Sequence, residues 1–306
     1  MTIIQLRYAV EVARAGSINR AARNLLIGQP NLSRSIRDLE QDLGFSVFVR
    51  SSQGMAPTPA GTQFLRDAQE LLRQFDALEA KYTGGGGQTR FSISVPRASY
   101  IADAFTRFSD RLKASKTELF YNETNARTAV ENILKNGYGL GIIRYAAEYD
   151  ANFHALLSEN LLEGEELVSF RFSLIMSRKS PLANQERITL ADLRGLTEIA
   201  HADHYVPNLS ADEVMRHELQ PIEGRRVFVY ERASQFELLG DDASTYMWVS
   251  PIPDKILERY DLVQRRCVDN ERVYKDVLIY PQGRELSSLE RAFISELYAN
   301  RDRYFK

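Results

Sequence analysis

The stretch SINRAARNLLIGQPNLSRSIRDLEQDLG, residues 17–44, decides the fold. It predicts a short helix over 18–25 and a longer one that runs to about residue 42, with a break at Gly28 between them. The opening serine can accept a hydrogen bond from the first helix, and Pro30 falls in the first turn of the second helix, where proline is tolerated. Small alanines on the first helix allow the second to cross it closely, which is typical of a helix-turn-helix.

The flanking segments extend this pair into a winged helix-turn-helix. A preceding helix over 4–15 ends at a glycine, a residue suited to a helix C-terminus. Two short extended segments, 47–50 and 55–58, enclose the polar turn 51–54, which is the pattern of a small β-hairpin, the wing. Residues 1–58 are therefore predicted to form one DNA-binding domain.

The longer helix of the motif has two unlike faces. Its apolar residues repeat at helical spacing and form one continuous face, namely Leu32, Ile36, Leu39 and Leu43. The opposite face carries the polar candidates for DNA contact, Gln29, Pro30, Asn31, Ser33, Arg34 and Arg37. The first residues of such a helix reach base edges in the major groove, where the Gln29 amide suits adenine and Arg34 suits guanine or a phosphate. Spacing alone leaves open the alternative that this is only an arginine-rich solvated surface.

Residues 59–83 predict one long helix that joins two subunits. Its apolar side chains alternate at spacings of four and three, a heptad pattern, at Phe64, Ala68, Leu71, Phe75 and Leu78. Four glycines at 84–87 follow within a flexible hinge, 84–89, so little of the nearby chain can cover this seam. Packing of the helix on its own domain is the alternative.

The remaining residues, 90–306, alternate strand-like and helix-like runs, which indicates an α/β architecture. Strands are predicted at 91–95, 119–121, 140–143, 170–176, 198–200, 226–230, 247–249 and 273–280. The pattern predicts two subdomains, the first made of about 90–165 and 269–306 and the second of about 166–268. The predicted fold class is therefore α followed by α/β.

Charge is divided unevenly along the chain. Residues 1–60 carry seven arginines and four acidic residues, a net charge of +3, and because the total is −2 the remaining residues carry −5. A basic end on an acidic body concentrates the affinity for phosphate in the N-terminal domain. The single Cys267 excludes an internal disulfide, and no segment has the roughly 18 consecutive apolar residues of a membrane helix, so we expect a cytoplasmic protein without membrane contact.

Residues 1–65 closely resemble the DNA-binding segment of the LysR-type transcriptional regulators, with matches at Leu6, Tyr8, Val10, Val12, Ala13, Gly16, Ser17, Ala21, Ala22, Leu25, Gln29, Pro30, Leu32, Ser33, Ile36, Leu39, Glu40, Leu43, Gly44, Phe48, Arg50, Thr58 and Gly61. The resemblance implies that Gln29, Ser33 and Arg34 contact the operator. It also implies that Arg50 and Gln53 of the wing approach phosphate or the minor groove. The long helix would then pair two subunits into a homodimer, which assembles further into a tetramer.

The same resemblance implies that the two subdomains adopt the fold of periplasmic solute-binding proteins, with a small-molecule effector held in the cleft by strand ends and helix N-termini. The corresponding candidates are Ser99, Tyr100, Thr124, Asn125, His201, His204, Tyr205 and Gln235. Although His201 and His204 suggest a metal site, two histidines without further ligands are more often loop residues, and we expect no metal. The charge of the effector stays open, because the acidic pair at 241–242 favours a cation whereas three arginines favour an anion, Arg97, Arg127 and Arg144.

These features together predict a sequence-specific DNA-binding transcriptional regulator, not an enzyme and without a cofactor, whose partners are double-stranded DNA and a small-molecule effector. Effector binding would close the lobes and change the angle between DNA-binding domains, which alters DNA bending and the recruitment of RNA polymerase. A solute-binding component and an α/β enzyme are the competing classes. The basic N-terminal domain argues against the first, and the sequence contains no G-x-G-x-x-G, phosphate-binding loop or G-x-S-x-G that would support the second.

Overall fold

The computed structural model describes the chain except for short gaps, that is residues 1–25, 27–51, 54–82, 89–113, 115–218 and 224–305. These residues divide into two compact units, 1–87 and 88–306. None of the helices within the described residues is both long and apolar enough to cross a membrane.

The N-terminal unit is a winged helix-turn-helix followed by a long helix. Its elements are α1 (Ile3–Ala15), α2 (Ile18–Asn24), α3 (Gln29–Leu43), β1 (Phe48–Ser51), β2 (Gly54–Pro57) and α4 (Pro59–Tyr82). The apolar face predicted for α3 is buried, with Leu32 and Leu39 fully inaccessible and packed against Ala21 and Ala22 of α2. Small alanines let the two helices approach closely, as the sequence predicts.

The wing is attached to the helices by hydrogen bonds from its backbone N–H groups. Glu40 of α3 accepts hydrogen bonds from the N–H groups of Val47 and Phe48, at 2.7 and 3.0 Å. Met55 of β2 donates its N–H to the carbonyl of Gly16, at 2.9 Å, where Gly16 ends α1 in the left-handed conformation that favours glycine. These bonds fix the position of β1 and β2 against the helix-turn-helix.

The heptad seam predicted for α4 is only partly a free surface. Ala68 is 3% exposed and packs with Leu6 of α1 and Leu72, and Phe64 contacts the same cluster. The two residues at the start of the predicted seam therefore pack on their own unit, because α1 and α4 lie side by side. Further along α4 the apolar side chains are exposed, at Leu71, Phe75 and Leu78.

The second unit contains two lobes, each built on a five-stranded sheet. The first lobe opens with β3 (Thr89–Val95), α5 (Ser99–Arg111), β4 (Thr117–Glu123), α6 (Ala126–Lys135), β5 (Leu140–Ala146), α7 (Asp150–Glu159) and β6 (Leu162–Arg171). The chain then forms the second lobe from β7 (Ser173–Ser177), β8 (Thr197–His201), α8 (Ala211–Glu218), β9 (Arg226–Val229), α9 (Arg232–Asp241), β10 (Thr245–Val249), α10 (Asp254–Arg259) and β11 (Leu262–Arg265). It returns to the first lobe for β12 (Val273–Pro281) and α11 (Ser288–Tyr304).

The first crossover between the lobes lies later than the sequence predicts. The sheet orders are β4-β3-β5-β12-β6 and β11-β7-β10-β8-β9, so β6 belongs to the first sheet and β7 to the second. The single strand predicted over 170–176 is therefore two strands that separate at Phe172, and the boundary predicted at 166 is wrong. Most of β6 is exposed at the sheet edge and rich in glutamate, so its sequence lacks the apolar run by which the other strands were recognised.

Segment 202–218, which includes α8, packs across the lobes. It follows β8 of the second lobe, yet Val206 and Val214 are buried in the core of the first lobe beside Tyr145 and Phe153. The two lobes are therefore joined by packing as well as by the two crossovers.

Candidate DNA-binding surface and effector cleft

The polar face of α3 is open to solvent along its length. Exposed side chains are those of Gln29, Pro30, Asn31, Arg34 and Arg37, whereas Ser33 is half-buried. The first residue before the helix is Gly28, which provides no side-chain cap to the N–H groups of the first turn. The N-terminus of α3 thus presents its uncapped backbone next to the predicted base-reading residue Gln29, and such a terminus favours negative groups.

The two arginines of this face keep their charge available. Neither Arg34 nor Arg37 forms a salt bridge with any residue that the structure describes. An unpaired exposed guanidinium is suited to phosphate oxygens or to guanine. Of the two residues predicted from the wing, Arg50 is part of β1 and Gln53 lies outside the described residues.

A cavity of about 130 Å³ lies between the two lobes of the second unit. Seven of the eight side chains predicted from the sequence line it, namely Ser99, Thr124, Asn125, His201, His204, Tyr205 and Gln235. Strands β3 and β4 are parallel neighbours, so their carboxyl ends place Ser99 and Thr124 at the same edge of the first sheet. Asn125 caps α6 by accepting a hydrogen bond from the N–H of Thr128 at 2.9 Å.

Tyr100 is the exception, and its prediction as an effector contact is wrong in position. It is fully buried, and its hydroxyl donates a 2.5 Å hydrogen bond to Asp276, which also binds Arg144 in a bidentate pair at 2.7 Å. Burial and the neighbouring carboxylate raise the pKa of Tyr100 well above its usual value, so the hydroxyl stays a donor. Ser99 is already the first residue of α5, and the next position of the helix, Tyr100, turns its side chain into the core.

Arg144 lines the cavity, whereas the sequence predicts it only as one of three arginines that favour an anionic effector. Aromatic side chains that reasoning from the sequence missed also line the cavity, namely Tyr145, Phe172, Trp248 and Tyr274. Phe172 lies at the crossover between β6 and β7, inside the single strand that the sequence predicts over 170–176. Trp248 lies near the end of β10, of which the sequence predicts only residues 247–249.

Ion pairs connect the lobes around this cavity. Arg97 of the first lobe binds Asp203 of the second through two hydrogen bonds, at 2.8 and 3.0 Å, and both side chains are largely buried. Arg232 at the start of α9 donates to Glu123 at 2.5 Å and to Ser99 at 3.0 Å. Charged and polar side chains on the two sides of the cleft thus form hydrogen bonds with each other.

The histidine pair has no further metal-type ligands grouped with it in the described part of the chain. His201 donates from Nδ1 to the carbonyl of Val229 at 3.2 Å, and burial together with the nearby Arg97 lowers its pKa to about 4, so the ring is neutral near pH 7. Asp203, the acidic residue between the histidines, is held by Arg97. Over the described ranges no group of three histidine, cysteine, aspartate or glutamate side chains is placed to hold a metal ion.

A basic winged helix-turn-helix joined to a two-lobed domain with a cleft defines a ligand-responsive DNA-binding protein. Residues 3–62 match the family described as "Bacterial regulatory helix-turn-helix protein, lysR family", and residues 85–301 match "LysR substrate binding domain". The chain belongs to the LysR family of bacterial transcriptional regulators, with a DNA-binding domain and an effector-binding domain.

Similar proteins agree with this assignment. The uncharacterized HTH-type transcriptional regulator YnfL of Escherichia coli (strain K12) is 28% identical over 94% of this chain and 95% of its own. The HTH-type transcriptional regulator ClcR of Pseudomonas putida is 51% identical over 72 residues, which are 24% of each chain. The crystal structure of ArgP from Mycobacterium tuberculosis has the same fold, with a TM-score of 0.60 and 19% identity over 97% of this chain and 96% of that one. YnfL and ClcR are named as transcriptional regulators, which supports the expectation that the chain is not an enzyme.

Proposed function

We propose that α3 reads the operator with Gln29, Asn31 and Arg34, while Ser33 and Arg37 hold the DNA backbone. The observation that supports this most directly is the exposed polar face of α3, whose arginines have no partner in the described part of the chain and whose opposite face is buried against α2. The residue types fit the groove, because amides pair with adenine and guanidinium with guanine or phosphate. Pro30 sets the start of the helix, and Arg50 and Gln53 of the wing are proposed to contact the flanking backbone.

The cavity between the lobes is proposed as the effector site. Support comes from its lining, in which strand-end polar residues of one lobe face aromatic and amide side chains of the other. The lobes contact each other through Arg97–Asp203 and Arg232–Glu123, so a molecule that enters the cavity interacts with both. Differential binding to two arrangements of the lobes would then shift the protein between regulatory states, with RNA polymerase as the partner that reads the result.

We further propose a cytoplasmic homodimer that pairs through α4 and assembles into a tetramer. The exposed apolar side chains of Leu71, Phe75 and Leu78 support this proposal, since they recur at the spacing of a helix–helix seam.

A genome-wide binding assay with the purified full-length protein and fragmented DNA from the source organism tests the DNA-reading residues. We expect discrete sites for the wild type, and about a 10-fold to 100-fold weaker binding to them for Gln29→Ala and Arg34→Ala, since each removes a base or phosphate contact. Arg259→Ala is the matched control, because it removes an exposed arginine from α10 in the second lobe. If no specific sites appear at any salt concentration, or if all three variants bind like the wild type, the proposed role of α3 is wrong.

A further inference from the structure

We propose that the cavity takes a small uncharged molecule that carries both a hydrogen-bond donor and a hydrogen-bond acceptor. This inference rests on the proposed role of the cavity as the effector site and narrows the chemical class of the effector.

The arginines that favoured an anion are already neutralised. Arg97 uses Nη1 and Nη2 on Asp203, and Arg144 uses Nε and Nη2 on Asp276, so each guanidinium faces a carboxylate in bidentate geometry. Arg127 is not among the residues that line the cavity, and it pairs with Glu131 one helical turn away. A carboxylate ligand would therefore have to displace a protein carboxylate or enter the cleft without a counter-charge.

The acidic groups give no better place for a cation. Asp203 is paired with Arg97, and Glu218 accepts a 2.9 Å hydrogen bond from Tyr274 and lies 3.6 Å from Arg272, which also pairs with Glu148. The two aspartates at 241–242 are exposed and are not among the lining residues. His201 carries no charge near pH 7, and the charged side chains that line the cavity are two of each sign, Arg97, Arg144, Asp203 and Glu218. A charged ligand would lose hydration without gaining an unpaired charged side chain as a partner.

Two residues that line the cavity each carry a polar atom without a partner in the described part of the chain. These atoms are the buried Oε1 of Gln235, a residue that is 4% exposed, and the buried Nε1 of Trp248, and both residues contribute to the cavity wall. Buried polar atoms are almost always hydrogen-bonded, because leaving one unpaired is unfavourable. The indole N–H only donates and the amide oxygen only accepts, so a molecule that satisfies both must offer an acceptor and a donor.

The size and the walls of the cavity complete the description. At about 130 Å³ it is close to an engineered cavity of about 150 Å³ that holds one benzene molecule. Aromatic side chains form much of its apolar wall, namely Phe172, Tyr205, Trp248 and Tyr274, beside aliphatic ones such as Met247 and Ile252. A small ring that bears a neutral amide-type group fits this combination of flat apolar walls and two polar atoms.

Matched sets of small probes test the inference. Benzamide, benzoate and benzamidinium share one shape and differ in charge, and the corresponding sets on a furan and on a cyclohexane ring vary the apolar part. Trp248 is the only tryptophan of the chain and lines the cavity, so its fluorescence reports binding there in the full-length protein. We expect at least one neutral amide to bind tenfold or more tightly than its charged counterparts, the ratio that corresponds to about 1.4 kcal/mol.

Variants test the polar contact itself. Gln235→Leu is expected to weaken amide binding fivefold or more, whereas Gln185→Leu, the same change at an exposed site of the second lobe, leaves it unaltered. Thermal unfolding of both variants checks that they are folded. Equal or tighter binding of benzoate or benzamidinium, or amide binding that Gln235→Leu leaves intact, overturns the inference and leaves the effector site standing. If no probe of any charge changes the Trp248 emission up to millimolar concentration, both this inference and the proposed effector role of the cavity fail.

Discussion

At residue 61 the first turn of α4 passes directly over the strand that begins the wing. A Cβ atom at Gly61 would lie 2.0 Å from the carbonyl oxygen of Val47, and that oxygen already accepts a hydrogen bond from the N–H of Thr58 at 2.9 Å. Thr58 in turn accepts from the N–H of Gly61 at 2.8 Å, which holds the turn in place. This glycine is therefore required for close approach of two backbone segments, not for an unusual backbone conformation.

Gly61→Ala is expected to destabilise the DNA-binding unit by about 2 kcal/mol, because neither backbone segment can move away. Helix propensity alone predicts the opposite, a gain of about 1 kcal/mol. Thermal unfolding followed by circular dichroism decides between them. Gly28→Ser serves as the control, since a Cβ there has no atom nearer than 3.7 Å and the hydroxyl can cap α3. A Gly61→Ala protein as stable as the wild type would contradict the steric argument.

At the scale of an element, α4 has two apolar faces with different roles. One face, which includes Leu65, Ala68 and Leu72, is buried within the unit, and Ala68 and Leu72 pack there on α1. The other, with Leu71, Phe75 and Leu78, is exposed in the single chain.

The triple change Leu71→Gln, Phe75→Ser and Leu78→Gln is expected to dissociate the proposed dimer while the unit stays folded. Burial of three such side chains stabilises association by on the order of 5 kcal/mol, so the dimer Kd should rise at least a thousandfold.

Sedimentation of the full-length protein measures this effect. Leu238→Gln, an exposed leucine on α9, should leave the sedimentation coefficient unchanged. Leu72→Gln should instead lower thermal stability, because that side chain is 8% exposed within its own unit. An unaltered oligomer in the triple variant would exclude this face of α4 as the dimer contact.

At the scale of the whole effector unit, ion pairs and segment 202–218 hold the two lobes together. Arg97→Gln leaves Asp203 without its partner in a largely buried position and is expected to lower the free energy of unfolding of this unit by about 2 kcal/mol. The double variant Arg97→Gln/Asp203→Asn should lose less of this free energy of unfolding, since it leaves no unpaired charge. Arg127→Gln removes a charge from the exposed Arg127–Glu131 pair and should change stability by less than about 1 kcal/mol. Urea unfolding of the effector unit measures the free energy of unfolding of all three variants. A double variant that is less stable than Arg97→Gln would refute the pairing.

The helices around residue 30 could be predicted because their determinants are local. The serine, glycine and proline at their ends and the 3.6-residue spacing of Leu32, Ile36 and Leu39 act within a few turns. Seven cavity residues were also predicted, because the family resemblance pointed to strand ends and helix starts around a cleft, and parallel strands bring such ends to one edge. Tyr100 was misplaced because inward or outward orientation of neighbouring residues depends on the exact start of a helix.

The sequence by itself determined the winged helix-turn-helix, the long helix, the α/β class of the body and the positions where its strands end. Only the tertiary structure decided which charges meet, since Arg97 and Asp203 are 106 residues apart and Arg144 and Asp276 are 132 apart. It also decided that Phe64 and Ala68 of the α4 seam pack beside α1, and that β6 belongs to the first lobe despite its polar sequence. Periodicity indicates which face of a helix or strand is apolar. Which group covers that face, and which group neutralises a charge, depends on how segments distant in the chain pack together.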